Sequence, residues 1–338
     1  MISKVAFYEL GDVELQSGEV LRRAQISYAT YGELNAARDN VVVLPTCYAG
    51  THEDNQCLFG AGRAIDPAKH FIVVPSLFGN GLSSSPSAAT VGQQRGRFPR
   101  TTLFDAVGCQ HRLLTEELHI DRIRLVAGYS MGGCQAFEFG AQFPSFVDSI
   151  LPCASTAKTS IHNDVFLRSM EAVLRSDPDF DVGEYSSPPT RGLSAFGRAW
   201  CPWAYSPAFF NNRSYQKLGF SSSAELMDYW AIMHASLDAN DLLHQLDTWR
   251  NADIAANSTY GGVITAALSA ISARTIVIPI ATDTYFRVED SERDVASMQN
   301  AELRTLDSEW GHSAGIRGND PRFIEVFDKA ARDLLSHA

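Results

Sequence analysis

Residues 122–144 read RIRLVAGYSMGGCQAFEFGAQFP. The first part, RIRLVAG (122–128), is a short apolar run with β-branched residues, which predicts a buried strand. The last part, MGGCQAFEFGAQFP (131–144), predicts a helix that Pro144 ends. Between them stands Gly128-Tyr129-Ser130-Met131-Gly132, a Gly-x-Ser-x-Gly sequence. Glycine and serine are common turn residues, so these five residues alone say little. Placed between a strand and a helix, they have the context of a nucleophile elbow. There the glycines allow a sharp turn and a close backbone approach, and the serine Oγ is left exposed on a strained turn. Ser130 is the candidate nucleophile.

Outward from this stretch the element types alternate. Runs at 3–14 and 19–30, joined by QSG, predict an N-terminal antiparallel pair. NVVVLP (40–45), HFIVVPS (70–76), VDSILPCA (147–154), RTIVIPI (274–280) and AELRTLD (301–307) predict further strands. TTLFDAVGCQHRLLTEEL (101–118) places Leu103, Val107, Cys109, Leu113, Leu114 and Leu118 at helical spacing, and the chain closes on a helix from Pro321. Strands alternating with helices imply an α/β fold whose mostly parallel, eight-stranded sheet has helices on both faces. The alternation breaks between 155 and 265, a helical, aromatic-rich stretch holding Trp200, Trp203, Tyr205, Trp230 and Trp249. It reads as a helical cap (155–265) inserted in a core made of 1–154 and 266–338.

Composition excludes several classes. A formal charge of −11 leaves no basic footprint for nucleic acid. No stretch approaches the roughly 20 apolar residues of a membrane span, and the N-terminus lacks the pattern of a signal peptide. The six cysteines form no Cys-x-x-Cys pair and no zinc-like cluster with histidine. The expectation is a cytoplasmic chain that needs no metal or cofactor and acts on a small molecule.

A serine hydroxyl needs a base, and on this fold the order is serine, acid, histidine. After the cap the sequence offers only His312 and the penultimate His337. His312, in SEWGHSAG after the last strand, is the expected base; a lone loop histidine is otherwise most often solvated. Asp283, three residues past the RTIVIPI strand, is the expected acid that orients it. Glu289 and Asp290 read as a solvated charge run. The tetrahedral oxyanion needs donors. Met131 N–H, at the start of the helix, is one. Tyr48 N–H in TCYAGTHEDN (46–55) is the other, with Cys47 next in line. Cys47 is a weaker nucleophile candidate than Ser130. Cys47, His52, Trp203, Tyr205 and Ser313 are candidates to line the substrate pocket, although His52 reads equally well as a structural hydrogen-bonding residue.

Several stretches together resemble one family. TCYAGTHED, SLFGNGLSSSPS, RGRFPRTTLFDAVGCQHRLLTEELHI, GYSMGGCQAFEFGAQFP, SLDANDLLHQLDTWRNADI, ATDTYF and WGHSAG are similar to the homoserine O-acetyltransferase-like branch of the α/β-hydrolase fold. The resemblance covers nearly the whole chain, and the GGxQAxEFxxxxP continuation is its most specific part. It implies the capped α/β-hydrolase fold, the triad Ser130, Asp283 and His312, and a homodimer through cap helices. It also exposes two departures. Homoserine acetyltransferases carry an aspartate directly after the base, where this chain has Ser313, and an arginine in a cap stretch, where it has Tyr205. Each lost ionic contact to a zwitterionic acceptor costs about 1.5–3 kcal/mol. The expectation is therefore a serine esterase acting on short-chain acetate-type esters. An acetyl-CoA-dependent transferase with another acceptor is the alternative, with Arg168, Arg191, Arg198 and Arg213 as candidates for the CoA phosphates. A non-catalytic ligand-binding protein is the reading that the intact Ser, Asp, His order disfavours.

Overall fold

The computed structural model describes residues 4–336; His337 lies outside them. Eight strands form one sheet: β1 (Lys4–Glu14), β2 (Val20–Tyr31), β3 (Val41–Val43), β4 (Phe71–Pro75), β5 (Leu125–Tyr129), β6 (Ser149–Cys153), β7 (Arg274–Val277) and β8 (Ala301–Leu303). Their spatial order is β1-β2-β4-β3-β5-β6-β7-β8. β1 and β2 pair antiparallel, as does β2 with β4, and every other pairing is parallel. Every residue of β3, β5 and β6 is buried. That is why these central strands read as continuous apolar runs rather than alternating ones.

The helices are α1 (Leu103–Arg112), α2 (Met131–Gln142), α3 (Ile161–Arg175), α4 (Thr190–Ala204), α5 (Pro207–Asn211), α6 (Ser223–Ala235), α7 (Ala239–Arg250), α8 (Ile264–Ala270), α9 (Val288–Ala296) and α10 (Pro321–Leu335). Thr102 caps α1 with a capping box, its side chain accepting from the Asp105 N–H while Asp105 reaches back. The helix expected over 101–118 stops at Arg112 as an α-helix and continues as one wider π turn, Leu113–Glu117. In α2 all residues except Gln142 are buried. This helix packs against β5, β6 and α1, while α10 packs against β5, β6 and β7.

Between β6 and β7 the chain is helical. The two ends of this segment are tied together: Thr159 N–H donates to the Ala252 carbonyl, Ile254 N–H donates to Ala157, and Lys158 Nζ lies 2.8 Å from Asp253. α8 follows that neck and packs against α2. Ser130 (after β5), Asp283 (after β7) and His312 (after β8) all lie beyond the carboxyl ends of parallel strands, as does the loop after β3. In open α/β sheets that edge is where ligands bind.

Candidate active site

Ser130 stands between β5 and α2 with φ 57° and ψ −131°, a conformation an L-residue adopts only under strain. The neighbouring glycines explain how the chain tolerates it. A Cβ on Gly128 would sit 2.1 Å from the Gly132 carbonyl, and one on Gly132 would sit 2.5 Å from the Pro45 oxygen. Both distances are far inside contact, so the elbow and the loop after β3 can approach only because these side chains are absent.

His312 Nε2 lies 3.0 Å from Ser130 Oγ, and its Nδ1 lies 2.7 Å from Asp283 Oδ2. The carboxylate fixes the tautomer: Nδ1–H donates to Asp283, and Nε2 is left to accept the serine proton. Asp283 Oδ1 in turn accepts the backbone N–H groups of Tyr285 (2.8 Å) and Phe286 (3.2 Å). The rings of Tyr285, Tyr129 and Phe286 lie 4.6, 4.8 and 5.6 Å from the imidazole. The Tyr129 hydroxyl donates to the His312 carbonyl. Burial drives both tyrosine hydroxyls well above their ordinary pKa, so they stay protonated donors. Ser130 and His312 are only 4 % and 5 % exposed, so the polar chain operates away from bulk water.

The base loop is also held from the cap side. Gly311, with φ 61°, approaches Ser206 so closely that a Cβ would lie 2.9 Å from the Ser206 nitrogen. Glu309 accepts from Asn212 Nδ2 (2.8 Å), Ser214 Oγ (2.5 Å) and Lys217 Nζ (3.0 Å). Those donors hold its carboxyl down at about 2.

On the other side of Ser130 lies the loop after β3. Thr46 N–H donates to Pro75, Ala49 N–H to Gln245 Oε1 (2.6 Å) and Gly50 N–H to Cys47. Among the described residues no acceptor meets the backbone N–H of Cys47, Tyr48 or Met131. The expected oxyanion donors, Tyr48 and Met131, are thus among the amides with unused donors. Burial pushes the Cys47 thiol up to about 12, so it is not a thiolate at neutral pH.

The pocket candidates fall in different places. Ser313 is fully buried beside the base, and Asn319 Nδ2 donates to its hydroxyl (3.2 Å). Tyr205 is buried and stacks on Phe209 at 4.2 Å. Its hydroxyl faces Ser313 and the Trp230 indole, while burial lifts it to about 12. The two positions that depart from the transferase pattern therefore meet each other. Trp203 is half-buried; its ring contacts Phe166 and His162, and its carbonyl accepts from Thr284. His52 is half-buried, and among the described residues it has no hydrogen-bond partner. The expectation for Asp290 fails: it is buried and paired with Arg293, whereas Glu289 is exposed and paired with Arg287.

Residues without an assigned role in the sequence reading also shape the site. Gln135 Nε2 donates to the carbonyls of Thr46 (2.9 Å) and Met131 (3.1 Å). Gln245, on α7, holds Ala49 and also donates to Phe78 (3.1 Å). The ring of Tyr48 stacks on Trp200 at 5.0 Å, and its hydroxyl donates to the Leu242 carbonyl. One signal for Gln135 was present: with Glu138 and Gln142 it forms a narrow polar stripe on an otherwise apolar helix, and a buried amide must find partners.

Residues 40–318 match the alpha/beta hydrolase fold family, and the chain belongs to it. It is a hydrolase whose relatives are of two kinds. It is 34% identical to an ethyl acetate hydrolase of Pseudomonas veronii, over 97% of this chain and 94% of that protein. It is 28% identical to a homoserine O-acetyltransferase of Bradyrhizobium diazoefficiens, over 96% of this chain and 88% of that one. Among solved structures, an acetylester hydrolase from Corynebacterium glutamicum superposes with a TM-score of 0.95 at 32% identity, covering 98% of this chain and 96% of the other. Among the described residues no helix is long and apolar enough to cross a membrane.

Proposed function

We propose that this protein is a serine esterase that hydrolyses short-chain, acetate-type esters of neutral alcohols. The observation that carries the reading is the unbroken chain Ser130 Oγ, His312, Asp283 at 3.0 and 2.7 Å. Ser130 Oγ attacks the ester carbonyl carbon as its proton passes to His312 Nε2. The carbonyl oxygen becomes an oxyanion facing the Met131 and Tyr48 amides, with Asp283 stabilising the imidazolium. Collapse breaks the bond to the alcohol, which leaves with the proton from His312, and an acyl-Ser130 ester remains. Water then gives a proton to His312 and attacks the acyl carbon, the acid leaves, and Ser130 regains its proton.

Three observations favour water over another acceptor. Among the relatives matched over nearly the whole chain, those above 30% identity include an ethyl acetate hydrolase and an acetylester hydrolase. Beside the base stand the neutral hydroxyls of Ser313 and Tyr205 rather than a pair of charges. Of the cap arginines that could bind a CoA phosphate, Arg168, Arg191 and Arg198 are already engaged with Asp164, Asp177 and Asp228. The test is a comparison of initial rates, p-nitrophenyl acetate hydrolysis against acetyl-CoA plus homoserine. Acetate release is expected to dominate. Faster formation of acetylhomoserine, or saturable CoA binding in calorimetry, would favour the transferase instead.

The same reading includes a homodimer through the cap. It is supported by the exposed apolar side chains Ile161 and Val165 on α3 and Ile232 on α6. Sedimentation velocity with Ile161→Glu and Ile232→Glu checks it: the expected result is dissociation, and a wild-type monomer would end the proposal.

A further inference from the structure

Gln135 is completely buried one turn into α2. A primary amide carries two N–H donors and one acceptor. Here the two donors go to different places. Nε2 gives one hydrogen bond to the Met131 carbonyl (3.1 Å), on the residue after the nucleophile, and one to the Thr46 carbonyl (2.9 Å), on the loop after β3. Its Oε1 accepts from Gln110 Nε2 (2.8 Å) on α1. Facing two carbonyls on one side and an amide N–H on the other, the group can be oriented only this way round.

The Thr46 carbonyl shares its peptide with the free Cys47 N–H, while the Met131 carbonyl belongs to the residue whose own N–H is unused. A trans peptide unit is planar, with its carbonyl and its N–H pointing in opposite directions. Holding the Thr46 carbonyl therefore aims the Cys47 N–H away from α2. Thr46 is pinned on its other sides too, since its N–H donates to Pro75 and its Oγ1 accepts the Leu77 N–H (3.0 Å). The next peptide plane, which carries the Tyr48 N–H, is held through the Cys47 carbonyl by Gly50 N–H (3.0 Å). Within this loop the bond from Gln135 is the link to the helix that bears Met131. The missing side chain of Gly132 lets the two backbones come together, its Cβ position being 2.5 Å from the Pro45 oxygen. Close approach alone leaves the peptide planes free to rotate.

We propose that Gln135 is a positioning residue that ties the two halves of the oxyanion hole together, setting their spacing and the direction of the loop peptide with a single amide. The inference rests on the esterase reading above. Gln135 does not touch substrate; it acts through the Thr46 and Met131 peptides. Its effect belongs to the tetrahedral state, because the ground-state carbonyl needs the donors less than the oxyanion does.

The test uses the full-length protein with p-nitrophenyl acetate and a trifluoromethyl ketone, which adds to the serine to give an oxyanion. Deleting an oxyanion donor outright costs about 100–1000-fold in kcat. Gln135→Met, which misaligns the donors without deleting them, is expected to lower kcat about 10–100-fold with KM nearly unchanged. The ketone should bind more weakly by the same factor, and the pH of half-maximal activity should stay in place. Gln110→Met removes the other member of the buried amide pair but leaves both carbonyl contacts. It should lose comparable thermal stability and keep kcat within about threefold.

Gln135→Glu gives an independent readout should Gln135→Met fail to fold. A protonated carboxyl can donate one O–H to Thr46, and an ionised one donates none. Activity relative to the wild type at each pH should fall as pH rises. Wild-type kcat in Gln135→Met overturns the proposal. So does a kcat loss without a matching loss of ketone affinity, an equal kcat loss in Gln110→Met, or a flat ratio in Gln135→Glu. Ser130→Ala separates the two levels: turnover that survives it overturns the esterase reading itself. Turnover that it abolishes, together with full activity in Gln135→Met, overturns only the role of Gln135.

Discussion

On the base side of Ser130, backbone and rings hold the site. Asp283 accepts two main-chain N–H groups, three aromatic rings enclose the imidazole, and Tyr129 holds the His312 carbonyl. On the oxyanion side the loop after β3 is held by side-chain amides from two different regions, Gln135 on the core helix α2 and Gln245 on α7. The difference lies in how each side fails. Main-chain contacts survive most substitutions, so the anchoring of Asp283 should break only when the carboxylate itself is changed. The oxyanion side should yield by degrees to changes in residues that never meet substrate.

The largest effect tests the centre that both sides serve. Ser130→Ala should lower kcat/KM for p-nitrophenyl acetate about 10⁴-fold or more without unfolding the protein, as removal of a nucleophile does elsewhere. Next comes the base side. Asp283→Asn should cost about 10³–10⁴-fold, because the amide favours the wrong tautomer of His312. A loss below tenfold in steady-state kinetics would mean that backbone and rings orient the imidazole unaided. On the oxyanion side, Gln245→Met strands the Ala49 N–H and should lower kcat about tenfold, equivalent to about 1–2 kcal/mol. A wild-type rate would show that the α7 tie is dispensable to catalysis.

The smallest effects mark where the site ends. Glu138 lies on α2 three residues beyond Gln135, fully buried, and accepts from Gln142 Nε2 (2.8 Å). Burial lifts its carboxyl from the ordinary 4.5 to about 8. Between those two values the folded protein keeps a proton that the unfolded chain releases. Stability should therefore decline as pH rises through this window, by up to about 1.4 kcal/mol per pH unit, and level off above it. Below pH 4.5 both states hold the proton and the contribution is fully present. In denaturant melts from pH 4.5 to 9, Glu138→Gln should flatten that slope while leaving kcat unchanged. A matching loss of kcat would extend the oxyanion support further along the helix. Cys47→Ala should keep activity within about threefold, since burial keeps the thiol protonated and the role proposed for this loop is carried by backbone N–H groups. Iodoacetamide labelling of Cys47 should be slow at pH 7.

The same contrast explains what was legible in the sequence. Ser130, Asp283 and His312 each follow a strand, in an order the fold prescribes, so counting along the chain brings the expectation close to the geometry. The strand run and the helix around Ser130 carry their own periodicity. Gln135 and Gln245 have partners 89 and 196 residues away, and no local pattern encodes a contact of that span. Asp290 looked solvated because it stands among charges, yet its turn of α9 faces inward. The π turn at 113–117 was invisible because its leucines keep an ordinary helical spacing.

The net charge of −11 acquires a meaning at the end of the proposed cycle. A neutral ester approaching the molecule is indifferent to that field. The carboxylate that leaves is an anion, and the same field works against its return. Inhibition by accumulated acetate should therefore strengthen as salt screens the surface, while the rate of ester entry stays the same. An acidic exterior that says nothing about which substrate binds can still bias the direction in which one of its products travels.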